Sequence, residues 1–158
     1  MKKGVIAIFY MFMGFVGGVI GTKRIMDKKR DVILQFSDKH LALFLMMNQW
    51  VKVKQEGKNL VSYFEKNGYK RIAVYGMSYA GEAFIRELQD TEIEVAYGID
   101  KNANNIFSNI DIISADDSLK DVDLIVVTAI TFYDEIKEEL CKKIDCPIVC
   151  LEDILYDV

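Results

Sequence analysis

An α/β fold, in which a parallel sheet is covered by helices on both faces, is predicted by three observations. Apolar runs of strand length recur at "RIAVYG" (71–76), "EIEVAYGID" (92–100), "DLIVVT" (123–128) and "PIVCL" (147–151). Amphipathic runs of helix length separate them, "YAGEAFIRELQD" (79–90) after the first and "FYDEIKEELCKKI" (132–144) before the last. The first and third strand-like runs are continuously apolar rather than alternating, as strands buried on both faces are.

The elements before this pattern are of a different kind. Residues 4–22, "GVIAIFYMFMGFVGGVIGT", carry no charge. As a helix this stretch spans about 28 Å, close to the roughly 30 Å of a bilayer's hydrocarbon core. Its end, Gly-Thr-Lys-Arg, has no small-x-small cleavage site, so a membrane anchor is favoured over a signal peptide. Lys23, Arg24, Lys28, Lys29 and Arg30 follow it, against Lys2 and Lys3 before it. By the positive-inside rule this predicts a single-pass protein of the cell membrane, N-terminus outside and C-terminal domain cytoplasmic. Gly14, Gly17, Gly18 and Gly21 form two small-xxx-small pairs that suit a homodimer of such helices.

From Ile25 to about Lys54 there is neither glycine nor proline, which predicts one long helix, or two with a break at Ser37-Asp38. Met26, Lys29, Ile33, Phe36, His40, Leu43, Met47 and Trp50 follow a three-four spacing. This seam serves either a coiled coil or packing on the domain, and we expect the second, with His40 as a partly buried packing residue. "NLVSYFEKNGYK" then reads as a short helix, Leu60, Val61 and Phe64 inward, capped at Asn67-Gly68. The expected organisation is an anchor over 1–24, a juxtamembrane helix or helices over 25–56 and a globular domain over 57–158.

Within that domain one connection is abnormally short. Residues 101–122 must cross from the second strand to the strand at 123, so "DIIS" (111–114) is either a short strand reached without a helix or a vestige. The expected sheet has four or five strands with a reduced crossover after the second. "EDILYD" closes the chain as a short helix.

The bulk composition excludes several functions. A net charge of −4 and a pI near 5.1 argue against nucleic-acid binding. Cys141, Cys146 and Cys150 form no CxxC pair, and we expect reduced thiols buried as small hydrophobes rather than disulfides or a metal site. Tyr133 and Lys137 have the Y-x-x-x-K spacing of some dehydrogenases, but an amphipathic helix produces it by chance, and we expect no catalysis there.

The chemistry concentrates at "VYGMSYAGEAF" (74–84). In a G-x-G-x-x-G dinucleotide turn the first glycine makes the turn, the second lets a pyrophosphate approach, and the third lets helix and strand pack. Here the series is Gly76, Ser78, Gly81. A Rossmann-like fold follows from this turn and the strand pattern together. The amides that open the following helix favour an anion, and the Ser78 hydroxyl adds a donor. Asp100 ends the second strand near the spacing of about twenty residues at which an acid holds ribose hydroxyls. The alternative is that these residues serve turn and cap geometry alone.

"RIAVYGMSYAGEAF", "VAYGIDKN" and "DLIVVT" resemble the Rossmann-like, so-called CoA-binding domain of membrane-anchored polysaccharide biosynthesis proteins. These include sugar-nucleotide epimerase/dehydratases and initiating sugar-phosphate transferases. The same residues are similar to the N-terminal domain of sugar acetyltransferases that bind a UDP-sugar. The resemblance covers about residues 69 to 155 and implies phosphates or a sugar nucleotide over Gly76, Ser78 and Gly81, with Asp100 and Lys101 beside them. Ser78 departs from the glycine of that pattern. With Tyr79 and Thr128 these make the candidate ligand-binding set, for a nucleotide, a sugar nucleotide or an NAD-like ligand. The expected function is a non-catalytic binding or regulatory module in cell-surface polysaccharide biosynthesis, with glycan-biosynthesis enzymes as partners. The alternative is a scaffold that docks a membrane glycosyltransferase and binds no small molecule.

Overall fold

The computed structural model describes side chains from Thr22 to Val158, and the chain forms two compact units, 1–41 and 42–158. The uncharged run expected as an anchor, and Gly14, Gly17, Gly18 and Gly21, lie outside the described residues. Among the described residues no helix is long and apolar enough to cross a membrane. Helix α1, Lys2–Gln55, is continuous through Ser37-Asp38, where no helix-breaking residue stands. In the first unit Ile25, Ile33 and Phe36 are exposed. His40, expected to be partly buried, is exposed too, and Nδ1 lies 2.7 Å from the Phe36 carbonyl.

The second unit contains the end of α1, α2 (Val61–Asn67), β1 (Arg71–Tyr75), α3 (Tyr79–Leu88) and β2 (Glu94–Ile99). It continues with β3 (Ile112–Ile113), β4 (Leu124–Val127), α4 (Tyr133–Leu140), β5 (Ile148–Cys150) and α5 (Leu151–Asp157). The strands form one five-stranded sheet in the order β3-β2-β1-β4-β5, every pairing parallel. This is the Rossmann-like arrangement, and its strand order reverses between β1 and β4.

Alternate residues of the strands feed two separate cores. On one face Ile72, Val74, Leu124 and Val126 pack with Phe84 and Leu88 of α3, Phe64 of α2, Ile154 of α5 and the end of α1. On the other, Ala73, Tyr75, Ile125 and Val127 pack with Ile136 and Leu140 of α4. The residues that α1 buries here are Met46, Trp50 and Val53. Leu43 and Trp50 pack on the domain as the seam expects, whereas Met47 is exposed and Met46 takes its place. "LALFLMM" is apolar on every side, and the facing helices rather than the pattern choose which side is covered.

Glu87 of α3 fixes that contact. Its nearly buried carboxylate accepts the Trp50 indole N–H at 2.6 Å and the Leu60 amide at 3.3 Å, and pairs with Lys54. Gly68 ends α2 with φ +74, the left-handed cap that Asn67-Gly68 predicts.

The short crossover resolves into a single 3-10 turn, Ala103–Asn105, followed by the two-residue strand β3. No α-helix covers this corner. A groove of about 470 Å³ lies there instead, floored by Ile85, Leu88, Ile93 and Val95. The chain returns from β3 to β4 on the α4 face without a helix, holding Ala115, Leu119 and Val122 against the second core.

Of the three free cysteines Cys150 is buried, whereas Cys141 is exposed and Cys146 half-buried, so the expectation of buried thiols holds for one of them. Burial pushes the Cys146 and Cys150 thiols up, which favours their protonated form.

Asp123 starts the sheet. One of its carboxylate oxygens accepts both the Lys70 and Arg71 amides at 2.8 Å, and these bonds hold its pKa below the usual carboxylate value. A carboxylate depressed in the fold stabilises it above the unfolded pKa of about 3.9, and that stabilisation is lost as pH falls through the folded value. Asp123→Asn should therefore lower the denaturation midpoint at pH 7 and flatten its decline below about pH 4. Equal acid limbs for the two proteins would remove Asp123 from the account.

Candidate functional site

The chain turns sharply between β1 and α3. Gly76 adopts φ +96, a conformation that side chains resist, and its amide donates to the Ile99 carbonyl at 2.9 Å. Gly81 sits in the first turn of α3, so close that a Cβ there would overlap the Gly76 carbonyl oxygen. The two glycines are one device, since the turn folds back until only bare backbone fits between strand and helix.

Thr128, 1% exposed, completes the device from β4. Its hydroxyl lies 2.6 Å from the Gly76 carbonyl oxygen and 3.1 Å from that of Tyr75. This fastens the turn from beneath. Ser78 caps α3 by backbone position only: its side chain makes no capping bond and is exposed. Tyr79 is 93% exposed.

Asp100 turns inward. Oδ2 accepts the Met77 amide at 2.9 Å and Oδ1 the Asn102 amide at 2.8 Å. It thereby clamps the end of β2 to the glycine turn. One lone pair on each oxygen remains for a ligand hydroxyl.

A crevice of about 260 Å³ opens at the carboxyl ends of β1, β2 and β4, where the strand order reverses. Ligands bind at this place in open α/β sheets. Of the candidate set it brings together Gly76, Asp100 and Lys101. Ser78, Tyr79, Gly81 and Thr128 do not line it. Tyr75, Phe132, Glu135 and Glu139 do, and they stand outside that candidate set. Their signal was present: Phe132, Glu135 and Glu139 recur at three and four residues along one helical face, and Tyr75 interrupts an otherwise aliphatic run just before the turn.

Tyr75 is the unusual member. It is 4% exposed, and among the described residues its phenol oxygen has no hydrogen-bond partner. Burial, then the fields of Glu139, Asp100 and Asp116, push its pKa up, so the phenol stays neutral and able to donate. Buried hydroxyls are almost always paired, with protein or with ordered water.

Tyr133 differs. Its hydroxyl donates to the Ile148 carbonyl at 2.8 Å, and the Lys137 ammonium lies 5.3 Å from its ring centre. The pair pins α4 to β5, with the phenol proton already engaged.

A family model described as C2185-like, N-terminal, matches residues 68–147, just over half of the 158-residue chain. The chain belongs to this family. No curated protein matches it. The C2185-like region begins at the cap of α2 and runs through β1, the glycine turn and α4 to the threshold of β5. Every residue that lines the crevice lies within it.

Proposed function

We propose that the chain is a membrane-anchored, non-catalytic module that binds a nucleotide or sugar nucleotide and serves cell-surface polysaccharide biosynthesis. One observation carries the binding: a crevice at the strand-order reversal opens beside a glycine turn that leads into the N-terminus of α3. The α3 amides and the exposed Ser78 hydroxyl offer donors to a phosphate. Asp100 retains acceptor capacity for sugar hydroxyls. Its two amide bonds leave less of that capacity than a ribose-binding acid has when it makes none. The uncharged run over 4–22 and the basic residues after it support the anchor, and the pathway rests on the resemblance described above.

A second reading, a scaffold that docks a glycosyltransferase, is favoured by Phe44, Met47 and Val51, which α1 leaves exposed. Melting the full chain in detergent micelles with millimolar UDP, UDP-glucose, NAD and CoA separates the two. A bound ligand stabilises by about 2.7 kcal/mol at a hundredfold excess over Kd. The binding reading expects a shift with a uridine nucleotide, kept in Ser78→Gly and abolished in Ser78→Leu, whose branched side chain would cover the α3 amides. No shift with any of the four compounds, or equal shifts in all three proteins, would discard phosphate binding at the turn.

A further inference from the structure

Two apolar surfaces of the second unit meet solvent, one on each flank of α3. The first is the groove left by the short crossover, with Ile85, Leu88, Ile93 and Val95 as its floor. Its lining runs from Met77, before α3, to Thr91, after it, so the groove is as long as that helix, about 15 Å. Phe107, 100% exposed, stands at its rim. The second is the stripe of Phe44, Met47 and Val51 on α1, spaced three and four residues apart and open to solvent. The groove has room for a helix and holds none, while the stripe is a helix face left bare among the described residues. They cannot meet within one chain, because α3 stands between them: Ile85, Arg86 and Gln89 wall the groove, and Ala83 and Glu87 wall the α1 side. Apolar surface of this extent marks a place of association.

The symmetry of these places names the occupant. A two-fold rotation about the crest of α3 carries each flank onto the other, so each chain's stripe comes over the other's groove. Met47 lies beside Ala83 and Lys54 beside Glu87, so the end of α1 runs in the same direction as α3. The rotation therefore leaves both α1 helices pointing the same way, as two chains anchored in one bilayer require. Glu82 and Arg86, one turn apart, occupy the crest itself. Both are exposed, and among the described residues neither side chain has an ion pair or hydrogen bond, not even with the other. Across the axis each Glu82 comes within a turn of the partner's Arg86, which gives two opposite-charge pairs at the centre of the contact. We propose that the second unit forms a two-fold homodimer, in which Phe44, Met47 and Val51 of each chain fill the partner's groove and Glu82 pairs with the partner's Arg86. This goes beyond the nucleotide reading and does not depend on it, and it assigns to a second copy the α1 residues that favour the scaffold reading.

Light scattering of the full chain in detergent micelles, over a range of concentrations, gives the number of chains per particle and the dissociation constant. The wild type should be a dimer. Glu82→Arg and Arg86→Glu should each weaken it by roughly tenfold or more, because each turns two attractive pairs into repulsive ones. The double exchange reverses both charges and should return to within roughly threefold of the wild type. Phe44→Glu and Phe107→Glu should each yield monomers with native far-ultraviolet circular dichroism, since these side chains are 67% and 100% exposed and support no core. A monomeric wild type would overturn the dimer and leave the stripe and groove to other proteins. A dimer that persists in Phe44→Glu and Phe107→Glu associates elsewhere, through the glycine pairs of residues 14–21 for instance, and would overturn the interface. A double exchange no tighter than either single variant would overturn the pairing of Glu82 with Arg86.

Discussion

Gly81→Ala is expected to prevent folding of the second unit or to lower its melting temperature by roughly 10 °C or more. The new methyl would overlap the Gly76 carbonyl oxygen and come within 3.1 Å of its carbon. Neither atom can retreat, because Gly76 is bonded to Ile99 through its amide and to Thr128 through its carbonyl. Relief requires α3 to move away from β1, which would open the apolar contact of Phe84 and Leu88 with the sheet. Overpacking of this kind costs roughly 3 kcal/mol or more when the obstacle is backbone. Gly68→Ala is the control. Unlike Gly81 it has positive φ, and no atom lies within 4 Å of its added Cβ, so only the conformational penalty of about 1 kcal/mol applies. Thermal unfolding followed by circular dichroism compares the two, and a Gly81→Ala protein that melts like Gly68→Ala would refute the close approach of helix and strand.

Glu87→Ala should release the end of α1 from α3. The substitution leaves the Trp50 indole N–H and the Leu60 amide without their acceptor, on residues that are 6% and 0% exposed. Each unpaired buried donor costs about 1–3 kcal/mol, so a loss of roughly 2–5 kcal/mol is expected. Trp50 is the single tryptophan of the sequence, and its fluorescence reports this contact directly. In the variant its emission should shift to the red at denaturant concentrations that leave the far-ultraviolet circular dichroism native. Coincident transitions would mean that the helix end and the sheet unfold as one unit, with Glu87 contributing nothing separate.

The sheet was legible because its signal is local. Continuous apolar runs such as "RIAVYG" and "DLIVVT" admit few alternatives, and Gly76 and Gly81 mark a turn whose geometry depends on bare backbone. The contacts of side chains at that turn were not legible. Asp100 stands at the end of its strand as the spacing implies, yet whether its oxygens meet a ligand or the Met77 and Asn102 amides depends on how the turn folds over it. Thr128 likewise follows an apolar strand, but its burial depends on the adjacency of β4 and β1, which no local pattern encodes. Tyr75 is neither charged nor part of the glycine pattern, and what distinguishes it, a buried hydroxyl without a partner among the described residues, depends on the fold around it. On α1, the choice between Met46 and Met47 was made by the surface that receives the helix.

The brevity of the outer strands has a consequence for crowding. β3 contributes two residues and β5 three, so each outermost strand offers only a short ladder, and the open rim beside β3 is the four-residue stretch 94–97 of β2. Long flat rims recruit strands from neighbouring molecules and seed aggregation. Here β1 has a neighbour on both sides along its length, β2 is open on its outer side for four residues only, and the chain leaves β5 directly into α5. Many copies held side by side at high local density would therefore find little to zip together, and this sheet can be concentrated in two dimensions without becoming a template for its own misassembly.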